Sequence, residues 1–220
     1  MGDLFPVAAA SFSGDIDSLF TQVTILMGIC FFITEIGLFY FLIRFRKKEG
    51  VRASYFGGDT KKSFLILCIP LALFVAFDAS VDIATATVWH KVKQSDPVGD
   101  DHVRIVGEQW LWNFQHAGPD GEFDTADDIK TVNELHVKTN KITKFYLQSK
   151  DVLHNFSVPV FRLKQDAVPG REIKGWFKPI MTGEWDIQCA EMCGISHGDM
   201  AARIFVHTDE EYDSWLKEQS

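Results

Sequence analysis

The stretch EWDIQCAEMCGISHGDMAARIFV, residues 184–206, decides how the C-terminal part of this chain folds. Glu184–Gln188 and Ala201–Val206 have the composition of short strands. The alternation is clearest in Arg203-Ile204-Phe205-Val206, whose apolar and polar side chains point to opposite faces of a pleated backbone. Between them lie two thiols, an imidazole and a thioether: Cys189, Cys193, His197 and Met200. Working outward, Val103–Phe114, Val132–Val137, Ile142–Gln148, Leu153–Val158 and Glu172–Phe177 have the same strand character, punctuated by Pro97, Gly118-Pro119, Pro159, Pro169-Gly170, Pro179 and Gly183. Seven or so short strands with turns between them predict an all-β sandwich or small barrel. A short helix, Asp209–Gln219, should close it, with Thr208 or Asp209 as its N-cap, acids in its first turn, and Trp215 and Leu216 facing inward.

Upstream the composition changes. Phe20 to Ile43 is 24 residues with Glu35 as its only ionisable side chain, and Phe64 to Val88 carries only Asp78 and Asp82. At about 1.5 Å per residue, either run is long enough for a hydrocarbon core of about 30 Å. Buried core helices would carry more charge over such lengths. A cleaved leader would need a basic start, whereas residues 1–19 contain no Lys or Arg. The expected arrangement is an outer-face segment 1–19, a transmembrane hairpin 20–90 and an outer domain 91–220. The hairpin's spans are 20–43 and 64–88, joined by loop 44–62. That loop holds Arg44, Arg46, Lys47, Lys48, Arg52, Lys61 and Lys62 against Glu49 and Asp59, which places it on the cytoplasmic side. Asp78 and Asp82, at i and i+4, share a helix face. They and Glu35 should face another membrane subunit rather than lipid, and proton conduction by them stays open. Residues 88–220 carry 15 basic and 22 acidic side chains, which is −7 of the chain's −8. A domain so acidic is a poor binder of nucleic acid.

The donors in 189–200 narrow the chemistry. A Cys189–Cys193 disulfide would leave His197 and Met200 unexplained. Cys193, His197 and Met200 have the order of a mononuclear copper loop, which needs one further imidazole, and His154 is the natural source. Cys189 adds a second thiolate. Two thiolates can bridge two ions, each with one imidazole, leaving Met200 and a backbone carbonyl as weak outer ligands. Thioether is a poor zinc ligand, so soft sulfur with imidazole points to copper. Cys30 and Cys68, inside the apolar runs, read as small packing residues.

The block resembles the copper A signature of cytochrome c oxidase subunit II, Cys-x-Glu-x-Cys-x3-His-x2-Met, with His154 35 residues before Cys189 as in that family. The similarity extends through Asp151-Val-Leu-His154, Leu163–Arg171, Gly107–Trp112 and the apolar runs. The resemblance implies a cupredoxin-like sandwich and a dinuclear copper A held by His154, Cys189, Cys193, His197, Met200 and the Glu191 carbonyl. It also implies a magnesium ion shared with subunit I through the Glu191 side chain, and Trp110 as the exposed indole where cytochrome c delivers its electron. Trp112 is expected in the core, although alternation puts both indoles on one face. Haem, oxygen reduction and proton pumping would reside in subunit I. No Cys-x-x-Cys-His occurs for a fused haem domain.

Three features depart from the family pattern. Leu111 replaces an aromatic, Ser63 stands about where a proton-uptake glutamate is common, and the acidic loop Gly118–Asp128 is not general. They lean toward the inner membrane of a bacterium rather than a mitochondrion. Oxygen donors in loop 118–128 could hold calcium, but their spacing is not that of a twelve-residue EF-hand, and a solvated acidic hairpin is the simpler reading. A quinol oxidase subunit II, the copper-free relative, would lack the ligands present here. A nitrous oxide reductase would need a large His-rich domain, and a copper chaperone would have fewer donors and a more exposed ion.

Overall fold

The computed structural model describes residues 5–52 and 58–219. The first four residues of the N-terminal segment, 53–57 of the basic loop, and Ser220 lie outside the described residues. The chain divides into a helical unit, Asp17–Trp89, and a β unit made of His90–Ser220 together with the chain up to Ile16.

The helical unit contains α1 (Ser13–Arg44) and α2 (Lys61–Trp89). Both are long and apolar enough to cross a membrane. Apolar residues surround each helix instead of lining one stripe, and nearly all of them are exposed. In water that surface would be untenable, since a helix apolar all round requires either a protein core or lipid. Both helices start before the apolar runs do, because Thr60 Oγ1 accepts from the Ser63 N–H at the start of α2 and polar residues extend α1 to Ser13. Pro70 is accommodated inside α2, which runs on into a π-helical turn, His90–Gln94.

The β unit is a sandwich of two five-stranded sheets. The first four strands are β1 (Asp101–Glu108), β2 (Leu111–His116), β3 (Ile129–Val132) and β4 (Glu134–Lys138). Next come β5 (Thr143–Ser149), β6 (His154–Val158) and β7 (Leu163–Ala167). The last are β8 (Ile173–Phe177), β9 (Gly183–Cys189) and β10 (Ala201–His207). One sheet has the order β3-β2-β1-β5-β8 and the other β4-β10-β9-β6-β7. Their inner faces meet through Trp112, Phe114, Phe145, Phe156, Phe161 and Phe177, all fully buried. Trp112 and Phe114 both pack edge-on against Phe156, at 5.5 and 6.4 Å between ring centroids. Offset and edge-on arrangements of this kind add to the area these rings bury.

Several expectations change. Val103–Phe114 is not one strand but the β1–β2 hairpin, in which Glu108 pairs with Leu111 across the two-residue turn Gln109-Trp110. The turn carries no Gly, Asn or Asp, so nothing in its composition marks it. Val132–Val137 likewise breaks at Asn133, whose φ of 58° lets the chain leave one sheet for the other. β7 was not expected. Within the expected segment 1–19, Ala9, Ala10 and Phe12 pack into the core of the sandwich, which the sequence did not signal. The Ala9 N–H donates to Val160, and the Ala9 carbonyl accepts from Ile180, each at 2.9 Å. Finally, α3 (Asp209–Gln219) starts in a reciprocal cap. Glu211 N–H donates to Thr208 Oγ1 at 3.2 Å, and Thr208 N–H to the Glu211 carboxylate at 2.8 Å. Trp215 is buried as expected, but Tyr212 rather than Leu216 is its buried companion.

Candidate metal centre

Sheet pairing assembles the site. β6 lies beside β9 with Phe156 opposite Cys189, so His154 at the start of β6 stands next to the point where β9 gives way to the ligand loop. The loop is closed at its neck by the Cys189 N–H donating to the Met200 carbonyl at 3.1 Å. Inside it, His197 N–H bonds Gly194 and Met200 N–H bonds His197, which winds the chain back so that three widely spaced donors face one point.

That point is well defined. Cys189 Sγ and Cys193 Sγ are 3.7 Å apart, and both thiols are free. His154 Nδ1 is 4.0 Å from Cys189 Sγ, and His197 Nδ1 is 3.6 Å from Cys193 Sγ. Met200 Sδ is 3.7 Å from Cys193 Sγ, and the Glu191 carbonyl oxygen is 3.2 Å from Cys189 Sγ. Metal bonds of about 2.0–2.3 Å at a tetrahedral angle separate two donors by roughly 3.5 Å, so these spacings are those of ligands sharing an ion. The donor set therefore fits soft metal, with one imidazole beside each sulfur. Among the described residues, His154, Cys189 and Cys193 are the only cluster of three or more His, Cys, Asp or Glu side chains that could hold a metal ion.

The site is dry on its inner side and open on its outer side. His154, Cys193 and Met200 are buried, while His197 is half-buried. Burial, reinforced by the hydrogen bond and charge of Cys189, pushes the Cys193 thiol up to about 11. A cation that replaces those thiol protons removes the penalty, so metal uptake here releases protons. His154 donates its far N–H, at Nε2, to Asp151 at 2.8 Å, which leaves the Nδ1 lone pair facing Cys189 Sγ and available to a metal. Burial pushes the Asp151 carboxyl up, but hydrogen bonds from His154, Gln109 N–H and Val152 N–H outweigh it and hold it below the usual range.

Glu191 exposes its side chain, as do Met192 and Ile195 in the same loop. Trp110 and Trp112 separate more sharply than alternation allowed. Trp110 sits in the turn with 37% of its surface exposed, and Trp112 is fully buried with its ring 6.0 Å from that of His154. Gln109 and Asp151 were not singled out in the sequence. Asp151 had a signal, an acid three residues before the candidate ligand His154; Gln109 lay within the Gly107–Trp112 similarity with no role assigned to it. In loop 118–128, Asp124 accepts from Arg104 and Gln115, Asp128 accepts from Gln115 and the Asp124 N–H, and Asp127 accepts from Thr125. Of the loop's five carboxylates, Asp124 pairs with the Arg104 guanidinium, which also lies 4.6 Å over Phe123.

Residues 102–207 match the family model described as cytochrome c oxidase subunit II, periplasmic domain. The chain is 34% identical to the alternative cytochrome c oxidase subunit 2 of Bradyrhizobium diazoefficiens, over 91% of this chain and 75% of that protein. It is 26% identical to the cytochrome c oxidase subunit 2 of Cereibacter sphaeroides, over 89% and 73%. The solved periplasmic domain of subunit II of the Bradyrhizobium japonicum cytochrome oxidase superposes with a TM-score of 0.50 at 32% identity, covering 56% of this chain and 95% of that one. Two long apolar helices, a cupredoxin-like sandwich and a sulfur–imidazole cluster at its loop end thus occur together with sequence identity along nearly the whole chain, which belongs to the cytochrome c oxidase subunit II family.

Proposed function

We propose that this chain receives electrons from cytochrome c for a haem-copper terminal oxidase. In this reading α1 and α2 span a bacterial inner membrane with the β unit on the outer face. The observation that carries the proposal is the convergence of His154, Cys189, Cys193, His197, Met200 and the Glu191 carbonyl, with successive donors 3.2–4.0 Å apart. These residues would hold a dinuclear copper A, which when bound supplies one-electron redox chemistry.

The chain's own residues do the rest. The two thiols would serve both ions, and the sheet ends that carry His154 and Cys189, with Met200 immediately before β10, would limit displacement and keep reorganisation on electron gain small. Trp112 and Phe156 pack the inner side and exclude water. Asp151 locks the His154 tautomer. Trp110 offers an exposed ring above the ligand loop, where an electron from cytochrome c arrives, and the acidic surface steers a basic donor toward it. Electrons leave toward haem in subunit I, where oxygen chemistry and proton pumping belong. Glu191, with its exposed carboxylate, would be one ligand of a magnesium ion completed by subunit I. The acids Glu35, Asp78 and Asp82 would face neighbouring subunits. Loop 118–128, whose Asp124 and Asp128 are engaged by Arg104 and Gln115, would serve as a charged surface hairpin in preference to a calcium site. The copper-free quinol-oxidase reading is disfavoured because all six donor positions are present.

The test is electron paramagnetic resonance of the full chain in detergent after copper loading. A hyperfine pattern from one electron shared equally by two copper nuclei is expected, and it should be lost in Cys189→Ser. A single-copper pattern in the parent chain, or an unchanged signal in Cys189→Ser, refutes the assignment.

A further inference from the structure

The β1–β2 turn is fastened to the ligand set at two points, both through Gln109. Its backbone N–H donates to one oxygen of Asp151 at 2.7 Å, and the other oxygen of that carboxylate receives the His154 Nε2–H at 2.8 Å. Its side-chain amide donates to the Cys193 carbonyl, also at 2.7 Å. The next residue of the ligand loop, Gly194, has a φ of 128°, and the turn lies directly on it. A methyl group there would sit 2.9 Å from Gln109 Nε2 and 3.1 Å from Trp110 Nε1, so only glycine leaves room for both side chains. Gln109 thus spans from a carboxylate that holds one imidazole ligand to the peptide that follows one thiolate ligand, and Trp110 is the residue beside it.

We propose that Gln109 is a positioning residue for electron delivery: its backbone bond to Asp151 and its side-chain bond to the Cys193 carbonyl together clamp the turn that carries Trp110 against the Cys193-Gly194 peptide. The inference rests on the reading of Trp110 as the site where the electron arrives. Gln109 has no ionisable group and supplies no ligand atom. It acts by fixing the distance and tilt of the indole relative to the Cys193 backbone, on which transfer between weakly coupled groups depends steeply.

The experiment compares copper-loaded oxidase carrying the parent chain, Gln109→Met, Trp110→Phe and the double variant, each reduced rapidly by ferrous cytochrome c. Gln109→Met keeps the side chain's length and removes its donor. It should retain two coppers and the shared-electron resonance pattern with its hyperfine splitting unchanged, and slow reduction about tenfold, the lower end of what loss of an outer partner brings. In the Trp110→Phe background the same substitution should bring little further slowing, because the amide acts through the indole. An unchanged rate in Gln109→Met overturns the proposal, and so does an equal fractional loss in both backgrounds. If Gln109→Met fails to load copper, Gln109→Glu takes its place with the same expectation; loss of copper from both assigns Gln109 to holding the loop and overturns the positioning role. A parent chain without the shared-electron signal defeats the copper reading and this inference with it. A parent chain that shows the signal beside an unaffected variant defeats this inference alone.

Discussion

Replacing His116 with phenylalanine should make the β unit markedly less sensitive to acid. His116 ends β2 beneath α3, is 3% exposed, and neither of its ring nitrogens has a hydrogen-bond partner among the described residues. Trp215 meets its ring edge-on at 5.3 Å. Burial, helped by the neighbouring His136, pulls its pKa down to about 3. The sign follows from which state takes the proton. Below the ordinary value of 6.5 the unfolded imidazole protonates while the native one stays neutral, so stability is intact above about pH 6.5 and declines as pH falls toward 3. Each pH unit in that window removes about 1.4 kcal/mol, so from pH 7 to pH 5 the loss from His116 is about 2 kcal/mol. That is a sizeable share of the 5–15 kcal/mol typical of a domain.

His136 adds a loss of the same sign. It stacks 4.2 Å from Trp215 and bonds His207 through Nδ1 at 2.9 Å, and burial, then His207, pulls it down to about 4. His207 is itself lowered by burial against the opposing pull of Glu211, and Glu134 lies 3.8 Å from His136. These groups remain in the variant and cancel in the comparison. The assay is guanidinium unfolding of the full chain in detergent at pH 7 and pH 5, followed by near-ultraviolet circular dichroism. The parent should lose about 2 kcal/mol more than His116→Phe between the two pH values. An equal loss in both proteins would refute the argument that the neutral, unpartnered ring carries the acid sensitivity.

Three other outcomes are expected. Thr208→Ala removes the hydroxyl half of the α3 cap and should lower the stability of the β unit by about 1 kcal/mol in the same unfolding assay. Phe156→Ala opens a cavity among Trp112, Phe114 and Phe145 beside Cys189; about 3–5 kcal/mol of stability should go, with weaker copper retention in equilibrium dialysis. Raising ionic strength should slow reduction of the copper-loaded oxidase by cytochrome c, since a surface holding most of the chain's −8 steers its donor through solvent; stopped-flow rates independent of salt would contradict an acidic docking face.

Much of the architecture was legible because it is written in composition and spacing. Two apolar runs with three acids between them predicted two long helices, and α1 and α2 are long and apolar enough to cross a membrane, with their apolar surface exposed. The ligand loop was legible for a chemical reason: two thiols, an imidazole and a thioether within twelve residues have few other uses. What could not be read was wherever continuity of pattern hid a change of direction. The run from Val103 to Phe114 stays apolar-rich through a reversal at Gln109-Trp110 that no Gly, Asn or Asp marks, and Asn133 turns the chain between sheets with one left-handed residue.

By itself, then, the sequence determined which atoms are available to a metal and which segments avoid water, because both are properties of residue type and local spacing. Only the tertiary structure decided that Ala9 and Phe12, before the first apolar run, belong to the core of the sandwich, and that Trp110 is exposed while Trp112 is buried. Only it placed Gln109 and Asp151 on Cys193 and His154 across separations of 84 and 3 residues. Apart from the local Asp151–His154 contact, those relations rest on pairing between strands distant in the chain, and strand register is fixed when two sheets close on a shared core rather than by any residue alone.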